Sequence, residues 1–179
     1  MGMEGLVERL KRRDEKAFEA VMGHYKDPLF RFLLSMVGKS DLAEELTQET
    51  FVRLYFHVNS LKSDFLKAWL YRVAGNLARQ EFRKRKLLGF FSFEREEEAP
   101  GVMGDEEAIN LRRMIDTLPG PYRVPFVLKE VEEWSFEEIA ETLGKPVGTV
   151  KSLVSRAREK LKGSEKQENI HEREESHEG

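Results

Sequence analysis

The sequence predicts an all-α protein built as two small helical domains joined by an acidic linker. Three observations carry that expectation. Apolar residues recur at helical spacing in one capped segment after another. The charges are segregated although the net charge is only −3: acids gather at 94–107 and after Glu165, cations at 72–86 and 145–162. A length of 179 residues, 35% of them charged, with a mean hydropathy of −0.56, suits two modest helical modules better than one thick core.

Composition also excludes. With no cysteine, disulfides and thiolate metal sites are ruled out. The apolar runs are only a few residues long, Met1 opens no signal-peptide pattern, and no stretch nears the roughly 20 residues a membrane helix needs, so a cytoplasmic protein is expected. His24, His57, His171 and His177 are scattered without ligand spacing, and no nucleophile has a base and orienting partner at a recognisable spacing. Neither a metal, a cofactor, a small-molecule substrate nor a catalytic residue is expected.

Taken in order, Asp14 caps a helix carrying Phe18, Val21, Met22 and Tyr25, and Asp27-Pro28 places proline at the first position of a second helix that stops at Gly38. Gly38-Lys39-Ser40 resembles the tail of a phosphate-binding loop, but Leu33 stands where that loop needs glycine and no strand precedes it. A third helix runs from Ser40-Asp41 to about Val58, with Ala43, Leu46, Thr50, Phe51, Leu54 and Val58 inward. Glu44, Glu45, Gln48 and Glu49 lie on its surface. After a loop, Ser63 or Asp64 caps a fourth helix to Lys86 with Phe65, Trp69, Val73, Leu77 and Ala78 as its apolar face. Arg72, Asn76, Arg79, Arg83 and Lys86 recur at spacings of 4, 3, 4 and 3 and line one side for four turns, suited to tracking a phosphate backbone.

Residues 87–104, with three phenylalanines, an acidic run, a proline and glycines, read as a linker. A second unit begins near Asp105, with Ala108, Leu111, Ile115 and Leu118 inward, followed by a helix over Tyr122–Glu132 whose first turn Pro125 tightens or kinks. Ser135 and Glu138 then form a capping box, Ile139, Ala140 and Leu143 an apolar stripe, and Gly144 a stop. The next helix buries Val150, Leu153, Val154, Ala157 and Leu161. Its other side offers Lys151, Ser152, Ser155, Arg156 and Arg158. Two helices meeting at so short a turn predict a DNA-reading helix-turn-helix. From Gly163 the tail is too polar to fold alone and is expected to be disordered.

Four quoted stretches resemble the extracytoplasmic-function (group 4) sigma factors of bacterial RNA polymerase: Ala43 to Leu54, Trp69 to Arg79, Ser135 to Ala140, and Pro146 to Ser152. The resemblance covers about residues 14–162. It implies a region 2-like domain over 1–86, a linker over 87–104, a region 4-like domain over 105–162 and a polar tail over 163–179. Core polymerase would be bound through its clamp helices by Glu45, Gln48 and Glu49, and through its flap. The loop from Asn59 to Asp64, with Asn59, Ser60 and Lys62, would capture a base flipped from the minus-ten element. Arg72, Asn76, Arg79, Gln80 and Arg83 would hold minus-ten DNA, duplex and single strand. Thr149, Lys151, Ser152, Ser155 and Arg156 would read the minus-thirty-five element. Glu45 stands where the family usually has Asp, Gln80 where Asp is common, and Ser155 is small for its position, all of which bear on the promoter read. An anti-sigma partner anchored at the membrane is also implied by the resemblance, and by no residue here. The residues alone leave a second possibility, a stand-alone regulator whose C-terminal unit binds an operator without polymerase.

Overall fold

The computed structural model describes residues 3–61, 65–87 and 113–175. Lys62, Ser63 and Asp64, the linker beyond Leu87, and the start of the second unit with Ala108 and Leu111 lie outside these. The described residues are helices and short turns, with no strand among them.

The chain opens with α1 (Met3–Lys11), whose Val7 and Leu10 are fully buried. The sequence reading started at Asp14 and did not anticipate it. Arg13, at φ 62, turns the chain out of α1, and Asp14 caps α2 (Glu15–Val37) by accepting the Ala17 N–H at 3.3 Å. Two helices broken at Pro28 were expected here, and the structure has one. Proline removes a single hydrogen bond to the preceding turn, while Val21 and Tyr25 before it and Leu29, Phe32 and Leu33 after it bury into the same core. Burial on both sides holds the helix straight through. It ends as expected at Gly38, in the left-handed conformation with φ 73, whose N–H meets the Leu34 carbonyl at 2.9 Å.

α3 (Ser40–His57) packs chiefly on α2 and buries Ala43, Leu46, Thr50, Phe51 and Leu54, as its periodicity predicts. Thr47 and Thr50 are tolerated inside because their hydroxyls donate to the Ala43 and Leu46 carbonyls, each at 2.7 Å. A 3-10 turn, Val58–Ser60, follows. α4 (Leu66–Leu87) corrects the expected apolar face. Of Phe65, Trp69, Val73, Leu77 and Ala78, only the last two are buried. Phe65 is exposed, Trp69 and Val73 are half-buried, and Leu66, Leu70, Tyr71 and Ala74 are inside. The helix carries two parallel apolar stripes one residue apart, about 100° on the wheel, and periodicity does not choose between them.

In the second unit, Ile115 and Leu118 are buried as expected, the former within helical residues 113–117. α5 (Gly120–Glu130) begins two residues earlier than the sequence suggested, with proline at its start, and Pro125 is accommodated inside it, buried. Its end is turned by Glu133, at φ 56, which brings the Trp134 N–H to the Leu128 carbonyl at 3.0 Å. α6 (Phe136–Leu143) starts at a complete capping box: Ser135 Oγ accepts the Glu138 N–H at 3.1 Å and Glu138 Oε2 accepts the Ser135 N–H at 2.8 Å. Gly144 at φ 61 closes it. α7 (Val147–Glu175) packs against α5 and α6 through Val150, Val154, Ala157 and Leu161. Its helical backbone runs on through residues expected to be disordered. Those residues do not nucleate a helix. They extend one whose first turns are already fixed by packing, and extension costs far less than nucleation.

Replacing Ser135 with alanine leaves the Glu138 N–H without its cap and should cost about 1 kcal/mol of stability, measurable as a lower urea midpoint at unchanged slope.

Candidate functional site

Three surfaces follow from this frame. On α3, the turns that bury Leu46 and Thr50 push Glu45 and Gln48 outward, both exposed, while Glu49 is half-buried and paired with Arg53 at 2.8 Å. Glu44 and Gln48 border a shallow cavity of about 230 Å³ between α2 and α3, with Lys26, Asp27, Phe30 and Thr47. The face continues along α3 into exposed Val52, Tyr55 and Phe56. The sequence reading did not single out these three residues. At its far edge the Arg13 guanidinium donates to the Tyr55 carbonyl and lies 4.2 Å from the ring centre. Asn59 and Ser60 are exposed in the 3-10 turn next to it.

The helix-turn-helix presents the second surface. With one side of α7 buried, Thr149, Lys151, Ser152, Ser155 and Arg156 are all exposed. The Ser152 hydroxyl is engaged by the Gly148 carbonyl at 2.9 Å, and Arg158 is tied to Glu130 at 2.6 Å. Arg158 therefore braces α7 on α5, while Lys151 lies 5.6 Å from the Phe136 ring centre and Arg156 is exposed on the outer face.

The row on α4 is the third surface, and here the structure departs most from an open four-turn stripe. Gln80 and Arg83 are exposed, but Asn76 and Arg79 are half-buried, with the Arg79 guanidinium donating to Asn76 Oδ1. Burial first, and then the charge of Arg83, lowers the Arg79 pKa from its ordinary value. A desolvated cation beside another cation is a favourable partner for an anion. Arg72 is turned onto the second unit, donating to the Thr142 carbonyl and, at 2.8 Å, to the Glu141 carbonyl at the end of α6. Beside it the Tyr71 ring meets the Trp134 ring at 4.7 Å, Lys67 Nζ lies 4.1 Å from the Trp134 ring centre, and the Tyr71 hydroxyl donates to Glu132 at 3.3 Å. The two helical units are thus joined along α4, and α2 packs on α5 beside it, so one continuous apolar core runs through both. Among the described residues no group of His, Cys, Asp and Glu is placed to hold a metal ion, and no helix is long and apolar enough to cross a membrane.

Comparison with known proteins matches residues 21–87 to the family described as sigma-70 region 2 and residues 108–161 to sigma-70, region 4. The chain is 32% identical over 173 residues to the ECF RNA polymerase sigma factor SigW of Bacillus subtilis, spanning 87% of this chain and 92% of that protein. The chain belongs to the extracytoplasmic-function sigma factors. SigM of the same bacterium is 32% identical over 146 residues, 77% of this chain and 88% of SigM. The sigma factor RpoE of Bartonella quintana, solved in complex with the anti-sigma factor NepR, superposes with a TM-score of 0.66 at 27% identity, covering 83% and 96% of the two chains. CnrH, solved with the cytosolic domain of CnrY, shares the fold at a TM-score of 0.71 and 21% identity, over 92% and 97%. This sigma factor is accordingly a promoter-recognising initiation factor for RNA polymerase, with region 2 in the first helical unit and region 4 in the second.

Glu132 supplies a pH test of the join between them. Burial raises its carboxyl pKa above the ordinary 4.5, with the Tyr71 hydroxyl, Arg31 and Lys67 acting in the opposite direction. A raised carboxyl favours the folded protein below its ordinary value, and that contribution is lost as pH rises through the raised one. Glu132→Gln, which keeps an acceptor for Tyr71, should therefore raise the unfolding temperature of the sigma factor at pH 7 and leave it unchanged near pH 4.

Proposed function

We propose that the sigma factor binds the clamp helices of core polymerase through Glu45, Gln48 and Glu49, and the flap through its region 4 unit. Minus-ten DNA is held by Asn59, Ser60, Lys62, Arg72, Asn76, Arg79, Gln80 and Arg83, and the minus-thirty-five element by Thr149, Lys151, Ser152, Ser155 and Arg156. The domains divide at 1–86 and 105–162 around a linker over 87–104. The observation carrying this reading is the two-sidedness of α7: Val150, Val154 and Ala157 fully buried on one side, Lys151 and Arg156 exposed on the other. That is the geometry of a helix seated on its domain while its outer face enters a major groove.

On this reading the protein makes and breaks no bond and works in the cytoplasm. Promoter opening is a population shift, in which binding the unstacked strand better than the duplex supplies the driving force. Cofactors, metals and small-molecule substrates have no role in it. The Bartonella relative was solved with an anti-sigma factor, and we infer a protein of that kind, anchored at the membrane, as the partner that restrains this chain.

Native co-migration with core polymerase tests the α3 face. Wild type should form a complex and the Gln48→Ala, Glu49→Lys double variant should not. No complex with either, alongside tight DNA binding by the chain alone, would instead identify a stand-alone regulator. Arg156→Ala should cost about 1–3 kcal/mol of discrimination at one base pair of the upstream element, read by competition among single-base variants. An equal loss on every sequence would make Arg156 a phosphate contact.

A further inference from the structure

The turn between α1 and α2 is built with a residue unsuited to it. The Arg13 N–H donates to the Leu10 carbonyl at 2.9 Å and the Asp14 N–H to the Arg9 carbonyl at 3.1 Å, the paired bonds that end a helix on a left-handed residue. Glycine takes that conformation at no steric cost, whereas a residue with a β-carbon is strained in it. Arg13 occupies it at φ 62. Its backbone does nothing there that glycine would not do better, so what arginine adds is its side chain.

That side chain crosses to the far end of α3. Its guanidinium donates to the Tyr55 carbonyl and lies 4.2 Å from the centre of the Tyr55 ring, which also meets Phe18 at 5.3 Å and Phe56 at 5.5 Å between ring centres. The last carbonyls of a helix have no partner within it, and a cation at that end meets the negative pole of the helix dipole. Beyond it the chain enters the 3-10 turn, a conformation with poorer hydrogen bonds of its own. Ser60 Oγ donates to the His57 carbonyl at 2.8 Å and the Leu61 N–H to the Val58 carbonyl at 3.1 Å, while Val58 and Leu61 are buried and α1 packs on the turn. Asn59 and Ser60, between those two buried anchors, are exposed.

We propose that Arg13 is a positioning residue for promoter DNA, clipping the end of α3 to the α1–α2 turn so that Asn59 and Ser60 present a fixed edge to a base flipped from the minus-ten element. This inference rests on the minus-ten assignment of Asn59 and Ser60 above and adds to it the residue that sets the geometry of their turn. Arg13 itself touches no DNA. A recognition group tolerates displacement of only about 0.5 Å, whereas an exposed guanidinium adds little to global stability. Loss of the clip is therefore felt in recognition before it is felt in folding.

Arg13→Gly separates the two effects, because glycine fits φ 62 and the substitution removes only the clip. In the full chain, amide hydrogen exchange at Leu61 should quicken about tenfold while exchange in α7 is unchanged. A library of promoters varied across both elements, transcribed with core polymerase, gives the second readout. The base read by Asn59 is located as the position whose preference Asn59→Ala erases. Arg13→Gly should weaken that preference by about fivefold or more and leave the minus-thirty-five preferences within about twofold. Arg13→Lys, which keeps a donor for the Tyr55 carbonyl, should restore most of it. Unchanged exchange at Leu61, or an unchanged base preference, overturns the inference. Equal loss on every promoter, with a shallower dependence of binding on salt, overturns it too and makes Arg13 a phosphate contact. Should Arg13→Gly not fold, Arg13→Asn, which also tolerates that φ, takes its place. If wild type shows no minus-ten preference that Asn59→Ala erases, the minus-ten assignment falls, and the exchange rate alone decides whether Arg13 holds the turn.

Discussion

Everything in this structure turns on the surface of one helix having to satisfy three claims. α4 presents Leu66, Leu70, Ala74 and Leu77 to the first core, Tyr71 and Gly75 to the second unit, and Asn76, Arg79, Gln80 and Arg83 to what remains. A helix offers about 100° of surface per residue step, so three adjacent stripes exhaust it. The basic row and the contact with the second unit therefore share one helix, and Arg72 lies where they meet.

The remainder of the molecule makes that arrangement possible. α2 and α3 form a wall against which α4 rests, and α2 runs unbroken through Pro28 because it is buried at both ends of the proline. On the other side, Glu133 in the left-handed conformation turns Trp134 onto Tyr71, and Val124 of α5 approaches where Gly75 leaves room for it. A glycine within a helix ordinarily weakens it. Here its missing side chain is filled by the neighbouring unit, so the cost is offset by contact.

Tyr71 and Glu132 are paired at the seam. The Tyr71 pKa is raised, by burial first and then by the nearby Glu132 charge, so its hydroxyl stays a donor over the physiological range. The acidic face of α3, by contrast, is removed from all of this: Glu45 and Gln48 point to solvent. With the units joined along α4, that acidic face stays exposed while Arg72 is engaged by the α6 carbonyls.

The sequence by itself determined the class of fold, the capping of α2 and α6, the stops at Gly38 and Gly144, the buried stripe of α7 and the exposed acids of α3. These depend on local spacing and on residues such as Ser135 and Gly144 whose chemistry acts within a few positions. α1 went unread because two buried side chains in nine residues make a weak periodic signal. The unbroken course of α2 through Pro28, the inward stripe of α4 and the partners of Arg72 and Trp134 were decided only by tertiary structure. Each depends on a partner distant in the chain: α3 and α6 packing on α4, the α6 carbonyls receiving Arg72, and Tyr71 lying under Trp134. A basic row reads the same in sequence whether it faces solvent, DNA or another domain, because periodicity records which residues share a face and carries no information about what that face meets.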